Sequence, residues 1–143
     1  MKPKTKILAV DDESMLRNLT VESLATWGYR TVAVGSGTEA ITLLQSETDI
    51  DMVLTDLNMP GVNGLEVLKW SKQLKEDRPV VVLSGNFETG PANREALGAA
   101  GADECFGKPF MVTALQELVL RMERKLPVPA CTLEDRTRAS TEG

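Results

Sequence analysis

Four short stretches of this chain end in residues that could do chemistry together. An apolar run, Ile7 to Val10, stops at Asp11-Asp12, and a second, Met52 to Leu54, leads to Asp56. A third, Val80 to Leu83, stops at Ser84, and a weaker one, Cys105-Phe106, precedes Lys108-Pro109. Counted from Asp11, the steps to Asp56, Ser84 and Lys108 are 45, 28 and 24 residues. If the runs are parallel strands, their carboxyl ends meet at one rim, where open α/β sheets bind ligands. That rim would hold three carboxylates, a hydroxyl and an ammonium. Crowded carboxylates repel, which raises a pKa or draws in a cation. A hard divalent ion such as Mg²⁺, held by oxygen ligands, suits a cluster whose net charge is −2. A carboxylate beside such an ion can attack a phosphoryl group and form an aspartyl phosphate. Lys108 and Ser84 would then meet the equatorial oxygens.

The elements that must position these groups are legible as a pattern. Runs that are apolar at every position, with Thr31 to Val34 as the fifth, suit strands buried on both faces of a parallel sheet. The segments between them read as helices. In the first, Ser14 is the expected N-cap, Leu16, Leu19, Leu24 and Trp27 the inward stripe, and Gly28 the stop. Ser36 or Gly37 opens the second, and the third runs from about Gly64 to Leu74 with Leu65, Val67 and Leu68 inward. Pro91 opens a fourth that ends near Gly101 and carries Gly98 inside it, which marks it as the least stable. Val112, Leu115, Leu118, Val119, Met122 and Leu126 give the fifth a 3.6-residue stripe. Trp70 reads as surface. The expected fold class is α/β, a doubly wound five-stranded parallel sheet flanked by five helices. The domain spans residues 4–126, and 127–143 form a polar, Pro-containing tail or linker stub.

Composition removes whole classes of function. With no histidine, imidazole cannot act as base, phosphocarrier or ligand, so no Ser-His-Asp or Cys-His machinery exists here. Lys and Arg total 16 against 21 Asp and Glu, and a net charge of −5 has the wrong sign for gripping nucleic acid directly. The two cysteines, Cys105 and Cys131, are too few for a disulfide framework, which makes the cytoplasm the expected address. The apolar run at Ile7 to Val10 is too short for a signal peptide or membrane span.

Taken in order and spacing, Ile7-Leu8-Ala9-Val10-Asp11-Asp12-Glu13, Val53-Leu54-Thr55-Asp56-Leu57-Asn58-Met59-Pro60-Gly61 with Gly64, Val82-Leu83-Ser84-Gly85, and Gly101-Ala102-Asp103 before Lys108-Pro109-Phe110 carry a resemblance. Over about residues 5 to 125 the chain resembles the receiver domain of bacterial two-component response regulators, in the manner of the chemotaxis regulators. Any one piece alone is a weak signal, and an Asp-Asp after a strand often only forms a turn. The four together are specific.

The resemblance implies a flavodoxin-like strand order of 2-1-3-4-5. It makes Asp56 the phosphoacceptor, with Mg²⁺ held directly by Asp12, Asp56 and the backbone carbonyl of Asn58, and through water by Asp11. Ser84 and Lys108 would bind the phosphoryl group, and the bond before Pro109 would be cis. It also implies a switch that is not an enzyme beyond its own phosphorylation and dephosphorylation. The donor would be a sensor histidine kinase or phosphotransfer protein, and the receiver of the signal an unknown downstream protein or output domain. A homodimer through the helix 4, strand 5, helix 5 face fits the same family. Two other readings are a Mg²⁺-dependent aspartyl-phosphate phosphatase and an inactive docking module. The first wants an Asp-x-Asp on strand one, where this chain has adjacent Asp11-Asp12, and the intact Asp12, Asp56, Ser84 and Lys108 argue against the second. One position departs from the family: three residues before Lys108, where an aromatic is usual, stands Cys105. Phe106 lies one residue late and should face the other way. Either the switch runs through the Gly-rich fourth helix and the loop after Ser84, which is the favoured reading, or a strand bulge restores Phe106 to the aromatic's place.

Overall fold

The computed structural model describes residues 5–85, 92–108 and 110–124. Strands and helices alternate along the chain as β1 (Lys6–Val10), α1 (Ser14–Thr26), β2 (Arg30–Val34), α2 (Gly37–Ser46), β3 (Met52–Asp56), α3 (Gly64–Leu74), β4 (Val80–Ser84), α4 (Arg94–Ala99), β5 (Glu104–Gly107) and α5 (Val112–Glu123). The strands form one parallel sheet in the order β2-β1-β3-β4-β5.

Position in the sheet explains the strand sequences. β3 and β4 are buried at every residue, and they are apolar from their first residue up to Thr55 and Ser84. β2 and β5 form the edges and keep partly exposed residues. One face of the sheet packs against α2, α3 and α4 through Leu8, Val53, Val80, Ala40, Val67 and Leu97. The opposite face packs through Ile7, Leu54 and Val81 against Leu24 of α1 and Leu115, Leu118 and Met122 of α5. The last turn of α5 is tied down as well, since the Glu123 carboxylate accepts hydrogen bonds from Thr5 Oγ1 at 2.7 Å and Tyr29 Oη at 3.0 Å.

Helix starts follow the capping chemistry of short polar side chains. Ser36, Asn63 and Asn93 each accept the backbone N–H three residues on, opening α2, α3 and α4. The fourth helix thus begins at Arg94 behind Asn93. Pro91, expected to open it, lies outside the described residues, as do Pro109, Leu126, Cys131 and the whole of 127–143.

Two expectations for α1 are corrected. Its N-cap is Glu13, and Ser14 is already helical. The reason is local: Asp11 Oδ1 takes the Glu13 N–H at 2.9 Å, so the entry turn is closed by a site residue two positions upstream. The stripe is also misplaced, for Leu16 is 37% and Leu19 50% exposed, while Leu24 is buried. On a 3.6-residue helix Leu19 and Leu24 are about 140° apart and cannot share a face. The inward place in the first turns belongs to Arg17, whose Nη1 donates to the Asp11 carbonyl at 2.8 Å. A search for apolar periodicity passes over a guanidinium used in this way.

Candidate functional site

Four strand ends, those of β1, β3, β4 and β5, and the loop after β3 deliver the site. The parallel ladder runs one residue past the strands, where Asp11 N–H donates to Val34 O, Leu57 N–H to Leu83 O and Lys108 N–H to Ser84 O. These bonds fix the backbone at Asp11, Ser84 and Lys108 and directly after Asp56. Asp11 and Asp56 are buried, whereas Asp12 is exposed at the mouth. One carboxylate oxygen from each of the three lies within 4.8 Å of the others. Lys108 Nζ stands 3.1 Å from Asp56 Oδ1 and 3.7 Å from Asp11 Oδ2. Ser84, at the end of β4, is 1% exposed, and its Oγ accepts a hydrogen bond from Asn58 Nδ2 at 3.2 Å.

The electrostatics favour a cation here. Burial pushes the Asp56 carboxyl above its ordinary pKa, the Lys108 hydrogen bond and charge pull it back, and the charges of Asp11 and Asp12 push it up again. One ammonium does not neutralise three carboxylates. The donor set is all oxygen, which is the chemistry that Mg²⁺ takes, so Asp11, Asp12 and Asp56 suit such an ion. A divalent ion would offset the remaining −2.

A close approach holds the Asp56 loop in place. At Gly64, the first residue of α3, an added Cβ would lie 2.4 Å from the Asp56 carbonyl oxygen and 2.8 Å from Leu57 Cα. Gly64 N–H donates to Leu57 O at 2.9 Å. The helix therefore begins directly against the backbone that carries Asp56.

This arrangement of Asp, Asp, Asp, Ser and Lys at the carboxyl end of a 2-1-3-4-5 sheet coincides with a match along the chain: residues 7–120 fit the response regulator receiver domain. The chain belongs to this family. A receiver domain of this kind is a phosphorylation-activated switch of two-component signalling. Response regulator MprA of Mycolicibacterium vanbaalenii is 36% identical over 121 residues, which cover 85% of this chain and 50% of that protein, so the receiver spans half the relative's length. Among solved structures, chemotaxis protein CheY4 of Vibrio cholerae aligns with a TM-score of 0.75 and 29% identity, over 84% of this chain and 99% of that one. TrrA of Thermotoga maritima, determined in complex with Mg²⁺-BeF, aligns with a TM-score of 0.72 and 33% identity, over 82% of this chain and 98% of the other. Mg²⁺ is thus bound within the family.

The structure brings Asp11, Asp12, Asp56, Asn58, Ser84 and Lys108 together at one rim. Cys105 lies apart from it, packed on the α2–α3–α4 face, while Phe106 belongs to the opposite cluster with its ring 5.1 Å from that of Phe110. Pairing between β4 and β5 is regular, with Val82 opposite Cys105, Leu83 opposite Phe106 and Ser84 opposite Gly107. No bulge turns Phe106 toward the position usual for the aromatic. Burial pushes the Cys105 thiol up, so it packs as a small neutral group. Two contacts were not foreseen from the sequence. The Asn58 side chain reaches Ser84, and Arg17 props up the Asp11 carbonyl. A polar residue two past Asp56 was the available signal for the first. Among the described residues no helix is long and apolar enough to cross a membrane.

Proposed function

We propose that Asp56 accepts a phosphoryl group from the phosphohistidine of a sensor histidine kinase or phosphotransfer protein. An Asp56 carboxylate oxygen forms the new bond to phosphorus as the bond to the donor nitrogen breaks, and the nitrogen keeps the electron pair. Lys108 meets a phosphoryl oxygen from the position where it now meets Asp56 Oδ1, and the Ser84 hydroxyl meets another. Bound Mg²⁺ would supply charge neutralisation for the transferring group, held by Asp12, Asp56 and the Asn58 carbonyl, with Asp11 behind water. The single observation that carries this reading is a buried carboxylate with a lysine at 3.1 Å and two further carboxylates within 4.8 Å. Phosphorylation would then change affinity for a downstream protein or output domain through the α4–β5–α5 face, which could also pair two copies. Residues 4–126 form the receiver, 127–143 a linker or tail, and the cytoplasm is the proposed compartment.

Incubation with acetyl phosphate and Mg²⁺, read by intact mass, should add one phosphoryl group that is labile to base and is not formed when EDTA replaces Mg²⁺. No added mass, or the same mass in EDTA, would count against the reading.

Mg²⁺ alone should raise thermal stability, because it binds the folded rim and not the open chain. At ten times its Kd the gain is about 1.4 kcal/mol, or about 5 °C in Tm for a domain of this size. Asp12→Asn should erase most of that gain and raise the metal-free Tm, since it removes a like charge beside Asp56. An unchanged Tm on adding Mg²⁺ to the parent protein would argue that no ion binds.

A further inference from the structure

The carbonyl between Asp11 and Asp12 lies in the one peptide plane that contains both of their Cα atoms, so a group that holds this oxygen constrains where two of the three site carboxylates leave the chain. Arg17, in the first turn of α1, holds it, with Nη1 donating to Asp11 O at 2.8 Å. We propose that Arg17 is a positioning residue for the cation site, fixing the Asp11–Asp12 peptide so that both carboxylates stand beside Asp56.

The turn around this bond is specified at each end. Arg17 N–H donates to Glu13 O at 2.9 Å, and Asp11 Oδ1 accepts the Glu13 N–H at 2.9 Å, so helix and turn are tied through Glu13. Asp11 N–H donates to Val34 O at 3.2 Å. With its N–H, carbonyl and Oδ1 all bonded, Asp11 presents Oδ2 to the cluster, 3.7 Å from Lys108 Nζ. The guanidinium has a seat of its own: a Cβ added at Gly35 would stand 3.0 Å from Arg17 Nη1 and 3.7 Å from its Cζ. Glu39 Oε1 borders the same glycine, yet it accepts from Ser36 Oγ at 3.1 Å, and among the described residues the hydrogen bond of the Arg17 side chain goes to the Asp11 carbonyl. The charge of Arg17 by itself repels a divalent cation, whereas its hydrogen bond assembles the oxygens that bind one. The two effects therefore have opposite signs in metal affinity.

The inference rests on the reading of this rim as a Mg²⁺ site. Titration of the full chain with MgCl₂, followed by ¹H–¹⁵N NMR, gives Kd from the folded protein's own resonances and reports on the Asp12 N–H, which shares the peptide plane that Arg17 holds. Arg17→Met keeps an unbranched stem and removes donor and charge together. It should weaken Mg²⁺ binding about tenfold, the lower end for partners that orient metal ligands, and move the metal-free Asp12 amide resonance. Arg17→Lys keeps the charge but replaces the planar fork by a point donor on a shorter stem, and should weaken binding by about threefold or more. A merely structural Arg17 would lower the Tm of Arg17→Met and leave the Kd of the folded protein unchanged, which would overturn the inference. Tighter binding in Arg17→Met would overturn it as well, by showing that only the charge is felt. If Arg17→Met does not fold, Arg17→Lys decides, and parent-like affinity there overturns the inference. Failure of the parent protein to respond to Mg²⁺ would instead overturn the reading of the rim, and the inference with it.

Discussion

Asp56→Asn should accept no phosphoryl group from acetyl phosphate, under conditions in which the parent protein gains one. The neighbouring carboxylates cannot substitute. Asp11 has Oδ1 committed to the Glu13 N–H at 2.9 Å, and its other oxygen stands 3.7 Å from Lys108. Asp12 is exposed to water, and among the described residues no lysine pairs with it. Only Asp56 joins burial, a lysine at 3.1 Å and the neighbouring Ser84 strand end. The same variant has a second expected result, in stability. Burial disfavours the ionised Asp56 and lifts its folded pKa above the unfolded value. Such a group contributes stability below its unfolded pKa and loses that contribution as pH rises through the folded one. At pH 7 without metal, the ionised Asp56 therefore weighs against the fold, and the neutral Asn does not. The metal-free Tm of Asp56→Asn should exceed that of the parent at pH 7, and the gap should close as pH falls into the carboxylate range. Intact mass and melting curves across that range check both results. Phosphorylation of the variant would reassign the acceptor, and a gap independent of pH would rule out ionisation of Asp56 as its cause.

The parts of the fold that could be read in the sequence are those where one physical demand dominates. β3 and β4 sit between two layers of helices, so Val53-Leu54 and Val80 to Leu83 must be apolar throughout, and the run marks the strand. The site residues follow those runs directly, which is why Asp56 and Ser84 could be placed at one rim. The helix beside them was harder. Leu16 and Leu19 have the composition of a core face and stand in water, while Arg17 points inward to the Asp11 carbonyl. Periodicity records which residues are apolar, and here the inward position serves a hydrogen bond. Ser14 is no cap because the helix already includes it: the turn that the Asp11 side chain closes on the Glu13 N–H puts the first helical residue at Ser14. The Asn58–Ser84 contact joins residues 26 positions apart on adjacent strand ends, and a linear reading names both without joining them. Cys105 and Phe106 came out as the alternation of a strand requires, on opposite faces.

Gly64→Ala should be among the most damaging single-methyl additions to this domain, and Gly98→Ala should have the opposite sign. At Gly64 the added Cβ meets the Asp56 oxygen at 2.4 Å, Leu57 Cα at 2.8 Å and the Asp56 carbonyl carbon at 3.1 Å, all of them backbone. No flexible side-chain end is there to give way. The start of α3 must move off β3, and the Gly64 N–H bond to Leu57 O, now 2.9 Å, must stretch or break. Overpacking of this kind costs about 3 kcal/mol, which lowers Tm by about 10 °C in a domain of this length. Because the displaced atoms belong to Asp56 and its neighbour, phosphorylation should slow even at temperatures where the variant is folded. Gly98, inside α4, meets nothing within 4 Å, so a methyl there clashes with no atom. Replacing glycine by alanine at an exposed helix interior removes backbone freedom from the unfolded chain and stabilises by up to about 1 kcal/mol. Melting curves for the two variants, with phosphorylation rates measured well below either Tm, separate the effects. A Gly64→Ala protein that melts with the parent would mean that α3 can shift away from β3 at no cost, and the tight start of that helix would then not be what holds the Asp56 loop.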